Sequence, residues 1–187
     1  MKIILLRHEE RGIDVGFFSN LTENGIIQSF FHLPNKLKKL KIDLIFSSPF
    51  IRTLQTIYPY CYKYKKNVNI EYGLYEYLHN PYFLLFPWYY TPDNIEDTDL
   101  KSIININYKT IVEKKDFKIL EDEENLEFRI KKFISYLFKE HPDKTILIVS
   151  HKGVINKIKD IYFKKTDLSD NFEMGSFEIY DLINIPK

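Results

Sequence analysis

Alanine is missing from the 187 residues altogether, and cysteine occurs once. A lone Cys61 cannot close an internal disulfide, which fits a reducing compartment. No stretch approaches the roughly 20 apolar residues of a membrane-spanning helix. The opening "MKIILLRH" carries an apolar run too short for a secretion signal. The expectation is a cytoplasmic protein. An excess of either charge is also lacking: 27 Lys and Arg face 26 Asp and Glu, net +1. That balance argues against nucleic acid or an anionic membrane as partner. There is no His/Cys cluster at zinc spacing and no Asp-rich calcium loop, so neither metal nor cofactor is expected. Arginine is scarce too. Only Arg7, Arg11, Arg52 and Arg129 occur, and lysine carries the remaining positive charge. Lysine does not replace the planar guanidinium fork where phosphate or carboxylate must be gripped, so each arginine calls for an explanation.

What is present is Ile, Tyr, Phe, Lys and Asn in abundance, a skew expected of A/T-rich codons. Hydrophobic residues make up 44% and charged ones 28%, within the range of a globular domain. The length favours one domain, 1–187, with an insertion or lid at about 77–120. Residues 2–7, "DLIFSS" and "KTILIVS" read as buried strands, and "SFEIYDL" as a final one. Thr22 of "LTENG" is a good N-cap for a helix with apolar residues at Ile26, Phe30, Leu33, Leu37 and Leu40. Pro34 predicts a kink there, or two short helices. Ser48-Pro49 reads as N-cap and first turn of a second helix, to about residue 64. Further helices are expected near 99–112, over 121–140, with an acidic first turn "EDEEN", and after His151. Strands alternating with helices predict an α/β fold, a three-layer α/β/α sandwich on a mostly parallel sheet.

In such sheets ligands bind at the carboxyl ends of the strands. Three strands here end in Arg7-His8, Ser47-Ser48 and Ser150-His151. His8, between Arg7 and Arg11, sits where like-charge repulsion favours neutral imidazole, a nucleophile suited to a bound phosphate. Alone it reads equally as a metal ligand or a strand-end cap. His151, at a strand end and a helix start, reads alone as a capping residue, yet helix N-termini favour anions. Arg52, early in the second helix, is either solvated or turned back to the strand ends.

Together, "LLRHEER", "LTENGIIQS", "DLIFSSPFIRTLQTI", "GLYEYL" and "ILIVSHKGVINKI" resemble the successive motifs of the histidine phosphatase (phosphoglycerate-mutase-like) superfamily. They stand in its order and at its spacing up to about residue 160. "RHEER" with two arginines, and the aromatic, proline-broken stretch after "GLYEYL", most resemble the TULA/Sts and ecdysteroid-phosphate phosphatase branch. The resemblance implies a metal-independent phosphatase that hydrolyses phosphate monoesters through phosphohistidine. His8 would be the nucleophile and Glu76 the general acid. Arg7, Arg52 and His151 would hold the phosphoryl oxygens, and Arg11 would join them. Glu71 and Glu10 are rival acids. The substrate would be a phosphorylated small molecule or a phosphotyrosine-type group, with oligomeric state, homodimer included, left open. A mutase-type phosphotransferase and a weakly catalytic phosphoryl-binding scaffold are the alternatives. Glu9 departs from the pattern, standing where the family usually has glycine. It could orient the imidazole, repel phosphate or point away. The aromatic run Phe83–Tyr90 reads as packing or as a wall for an apolar leaving group.

Overall fold

The structure, a computed structural model, describes residues 1–81, 91–118, 120–164 and 172–183. The continuous apolar run of β1 (Lys2–Arg7) demands cover on both faces. Ile4 and Leu6 pack on one side with Leu33, Leu37, Leu54 and Ile57. Ile3 and Leu5 pack on the other with Phe133, Ile134, Val154 and Ile155. The middle layer is a five-stranded sheet of order β3-β2-β4-β1-β5, with β2 Leu44–Ser47, β3 Asn69–Ile70, β4 Thr145–Ser150 and β5 Phe177–Asp181. Among the described strands of this sheet, only the β1–β5 pairing is antiparallel. Helices α1 (Glu23–Ile27), α2 (Leu33–Leu37) and α3 (Ile51–Tyr64) supply one outer layer. Helices α5 (Glu123–Glu140) and α6 (Lys152–Phe163) supply the other. The short α4 (Thr98–Ser102) buries Leu100 beside α3. The expected α/β/α sandwich is what forms.

Local chemistry explains the boundaries. Thr22 caps α1 by accepting from the Gly25 N–H. A Cβ at Gly25 would overlap the Glu10 carbonyl, so glycine lets α1 lie directly on the chain that follows β1. Asp122 caps α5 by accepting from the Asn125 N–H, and Glu123 and Glu124 fill its positive first turn.

Two short helices form around Pro34 as expected, but the face assigned to them and two other local expectations are corrected. The segment around Pro34 is broken by a π-helical turn, Gln28–His32, with Pro34 in the first turn of α2. Each residue of a π turn advances less than in an α-helix, so the buried face moves. Ser29, Leu33 and Leu37 are buried, whereas Ile26 and Phe30 are 41% and 50% exposed. Helix α3 starts at Ile51 with Phe50 as N-cap, two residues later than Ser48-Pro49 implies. The Ser48 hydroxyl is engaged elsewhere, and its carbonyl accepts from the Thr53 hydroxyl at 2.7 Å. The helix expected near 99–112 is only α4; the chain beyond it wraps around Glu71 instead. In the expected insertion, Ile95, Ile103 and Val112 are buried in the two core clusters, and Phe83–Tyr90 lies outside the described residues.

Candidate active site

Parallel pairing of β1 with β4 sets Arg7 opposite Ser150. His8 and His151, the next residues, then leave the sheet side by side. The His8 N–H donates to the Ser150 carbonyl at 3.1 Å, and the two rings lie 5.3 Å apart between centroids, edge on. β2 ends beside them, the Ser48 N–H donating to the Val149 carbonyl at 3.0 Å.

The protonation of His8 follows from one contact. Its Nδ1 lies 2.8 Å from the Glu9 carbonyl oxygen, which can only accept. Nδ1 therefore carries the proton and Nε2 the lone pair. The ring is almost fully buried, and its pKa falls from 6.5 to about 3. Burial is the larger cause; the Arg52 charge comes next, with Arg7 and Arg11 adding less. The like-charge repulsion expected from Arg7 and Arg11 is real but secondary. His151 is fully buried and is also held well below its ordinary value, first by burial and then by Arg52.

Arg52, second residue of α3, is wholly buried with its guanidinium 4.4 Å from the centroid of the Phe50 ring. Its Nη1 donates to the Gly16 carbonyl at 2.8 Å. Its Nη2 lies 3.3 Å from Glu76 Oε2 and 3.2 Å from His151 Nδ1. Burial lowers its pKa to about 10, so it stays charged at neutral pH. His151 Nδ1 is also 3.2 Å from Glu76 Oε2, and its Nε2 is 2.9 Å from the Ser48 hydroxyl. Nδ1 can accept from Arg52 while Nε2–H donates to Ser48. It can equally donate to Glu76 while Nε2 accepts from Ser48. Both arrangements are tautomers of a neutral imidazole, and each gives both ring nitrogens a partner.

Arg7 Nη1 donates to the Phe172 carbonyl at 2.6 Å. Among the described residues, Arg7 Nε and Arg52 Nε are buried without a protein hydrogen-bond partner. Arg11 is placed differently. Its Nη1 serves the carbonyls of Gly12, Ile13 and Asp14, curling an exposed loop at the mouth. The rival carboxylates have other work. Glu71 is fully buried and accepts from the N–H groups of Gly73, Ile111 and Val112 and the hydroxyls of Tyr108 and Thr110. Glu10 accepts from Thr22 and Asn24 at the start of α1. No group of three or more His, Cys, Asp or Glu that could hold a metal ion occurs among the described residues.

Sequence reasoning missed what holds Glu76. Arg129 of α5 is fully buried and donates to the carbonyls of Gly73, Tyr75 and Glu76 at 2.7, 2.9 and 3.2 Å. Its charge is met by buried Glu121, Nε to Oε1 at 2.6 Å and Nη2 to Oε2 at 2.9 Å. The scarcity of arginine was the only signal, and Glu121 read as part of an acidic helix start. Ser48, anchoring His151, was also missed, having been read as a helix cap.

Two outcomes are expected. Arg129→Met removes the charge and the fork together, stranding carbonyls and the Glu121 carboxylate. Breaking one side of such a buried pair costs about 3–5 kcal/mol, and urea denaturation at pH 7 should show it; a loss below about 1 kcal/mol would contradict the arrangement. For pH, the folded protein holds His8 near 3 against 6.5 when unfolded. Between those values the unfolded chain binds the extra proton, so this stability is complete above 6.5 and drains as pH falls toward 3. Each such histidine removes up to ~1.4 kcal/mol per pH unit in that window. Unfolding free energies at pH 7, 6, 5 and 4 should decline less steeply in His8→Gln; parallel curves would mean His8 is not held neutral.

A model of the histidine phosphatase superfamily, branch 1, matches residues 6–175. No curated protein matches the chain by sequence. Solved structures do match. The ecdysone phosphate phosphatase from Bombix mori, in complex with tungstate, is 14% identical over 95% of this chain and 88% of that one, TM-score 0.68. The alpha-ribazole phosphatase from Shigella flexneri is 22% identical over 97% and 90%, TM-score 0.65. The phosphoserine phosphatase from Entamoeba histolytica, in complex with 3-phosphoglyceric acid, is 20% identical over 95% and 89%, TM-score 0.64. At such identities the likeness is one of fold. The family match is of another kind, because it runs from the end of β1 through both strand-end histidines to Gly175, and the chain belongs to the histidine phosphatase superfamily.

Proposed function

We propose that the whole chain acts as one catalytic domain, a phosphatase that hydrolyses phosphate monoesters through a phosphohistidine at His8 without a metal. The observation that carries this reading is a neutral imidazole with its lone pair on Nε2, set among fixed positive charge. Arg7 and Arg52 each keep a buried N–H that no described protein group accepts from. A phosphoryl group supplies such acceptors, and charge-assisted contacts to it are strong.

In the first step His8 Nε2 attacks phosphorus. The P–O bond to the alcohol breaks, and Glu76 gives its proton to the departing oxygen. In the second, Glu76, now ionised, takes a proton from water as that water attacks the phosphohistidine, freeing phosphate and restoring His8. Arg52 and His151 hold the equatorial oxygens with Arg7, and their partners fix them before substrate arrives. Each preorganised donor of this kind is worth roughly 100- to 1000-fold in rate. Arg11 contributes through its charge, which acts on His8 and Arg52.

Within the superfamily we favour the branch that carries a second arginine in "RHEER", the ecdysteroid-phosphate and TULA/Sts phosphatases. The likeness to the Bombix mori enzyme is compatible with that choice. Substrates are then small phosphate esters or phosphotyrosine-type groups, handled in the cytoplasm.

The protein should hydrolyse p-nitrophenyl phosphate in EDTA, and His8→Ala should lose at least about 1000-fold in kcat. Equal turnover by both proteins, or none by the parent on a broad ester panel, would sink the reading. Glu76→Gln should lower kcat on an alkyl phosphate by about 100- to 10,000-fold. It should cost much less on p-nitrophenyl phosphate, whose leaving group needs no proton. Similar losses on the two esters would place the acid elsewhere.

A further inference from the structure

Glu9 is 6% exposed, and its two backbone groups are both committed. Its N–H donates to the Thr56 hydroxyl at 2.9 Å, and that hydroxyl donates to the Arg52 carbonyl at 2.7 Å. Its carbonyl takes the His8 Nδ1 proton. The carboxylate lines a cavity with Arg7, Glu10, Lys36 and Gly175. The charges that act on it are Lys36 and Glu10, and it lies over Gly175, where a Cβ on that glycine would overlap both of its oxygens. Gly175 has a φ of +73°, a conformation that favours glycine.

That contact matters because of what the segment Phe172–Ser176 touches. The Gly175 N–H donates to the His8 carbonyl at 3.0 Å and to the Arg7 carbonyl at 3.2 Å. The Ser176 carbonyl accepts from the Arg7 N–H at 3.1 Å, and the Phe172 carbonyl from the Arg7 guanidinium. From behind, Lys159 stands 5.1 Å from the centroid of the Phe172 ring and is paired with Glu178 at 3.0 Å. The segment therefore grips both residues that begin the site, and Glu9 is the side chain packed against its turn.

We propose that Glu9 is a positioning residue for His8 and Arg7: its carboxylate fills the place of a side chain at position 175 and wedges the Phe172–Ser176 segment onto their backbone. As a role in the reaction this rests on the phosphatase reading; as a packing coupling it does not. The imidazole is oriented not by the carboxylate but by the carbonyl of the same residue. A displacement of about 1 Å at a nucleophile is worth roughly 100-fold in rate, so the wedge acts on kcat.

The test compares the parent with Glu9→Ala, Glu9→Gln, Gly175→Ala and the Glu9→Ala/Gly175→Ala double variant. Three readouts are taken: kcat and KM on p-nitrophenyl phosphate, amide hydrogen exchange at Gly175 and Ser176, and the imidazole 15N shifts of His8. Glu9→Ala should lower kcat about tenfold with KM changed by less than about twofold, and should speed exchange at Gly175. Glu9→Gln, of equal volume, should recover most of the loss. Gly175→Ala should be worse than Glu9→Ala, since it meets both the overlap and the positive φ. The double variant should exceed Gly175→Ala alone, because removing the carboxylate relieves the overlap.

Equal loss from Gly175→Ala in both backgrounds would overturn the proposal. So would a Glu9→Gln as impaired as Glu9→Ala, or unchanged Gly175 exchange in Glu9→Ala. If Gly175→Ala does not fold, the Glu9→Ala and Glu9→Gln pair decides. A parent protein without turnover defeats the phosphatase reading, and the exchange and 15N readouts then decide the coupling alone.

Discussion

The register of β1 against β4 is the constraint on which the site depends. Lys2 pairs with Thr145, and the pairing runs residue for residue to Arg7 with Ser150. A slip of one position would carry His8 past His151 and turn every β1 side chain to the opposite face. That slip is opposed by the core itself. Ile4 and Leu6 fill the layer under α3, while Ile3 and Leu5 fill the layer under α5 and α6. Both layers are shaped by their helices, so the apolar residues that look merely structural fix the height of His8. The antiparallel β5 strengthens this by pairing with β1 from Lys2 to Leu6 on its other edge.

Burial then does electrostatic work. Taking His8 and His151 out of water disfavours their charged forms, and the Arg52 guanidinium adds to the same effect. Held neutral in this way, His8 keeps its lone pair on Nε2 at neutral pH. The same burial is tolerable for Arg52 because its nitrogens meet Gly16, Glu76 and His151 and its face meets Phe50. A charge held this way is aimed before a ligand arrives, and preorganisation of that kind is where catalytic electrostatics is strongest.

How much of this was legible in the sequence depended on whether a residue's role is local. His8 and His151 each follow a buried apolar run, so the strand ends placed them side by side, whereas Arg52, early in a helix, was assigned to them only through the family resemblance. Ser48 was seen in the right place but given the wrong partner. A Ser-Pro pair reads as a helix start, whereas here the hydroxyl is taken by a histidine about a hundred residues away. Arg129 was conspicuous only by rarity. Its acceptors Gly73, Tyr75 and Glu76 lie far upstream, and no periodic pattern links α5 to them. The π turn after α1 was foreshadowed by Pro34 only as a break, because the side-chain pattern does not distinguish a kink from a widened turn.

Glu76 stands out from the other carboxylates through what the fold does to them. Glu71 receives five donors, three of them backbone N–H groups, and is sealed from solvent. Glu121 is saturated by Arg129 and the Leu78 N–H. Glu10 is occupied at the start of α1. A carboxylate surrounded by fixed donors cannot release and recover a proton without breaking them, which suits a brace and not an acid. Glu76 differs in exposure, not in lacking partners: 22% of its side chain is exposed, while Oε1 accepts from the Tyr77 N–H at 3.0 Å and Oε2 faces Arg52 and His151. The Glu76 carbonyl accepts from Arg129, and the buried Arg129–Glu121 pair holds the chain beneath the carboxyl in place.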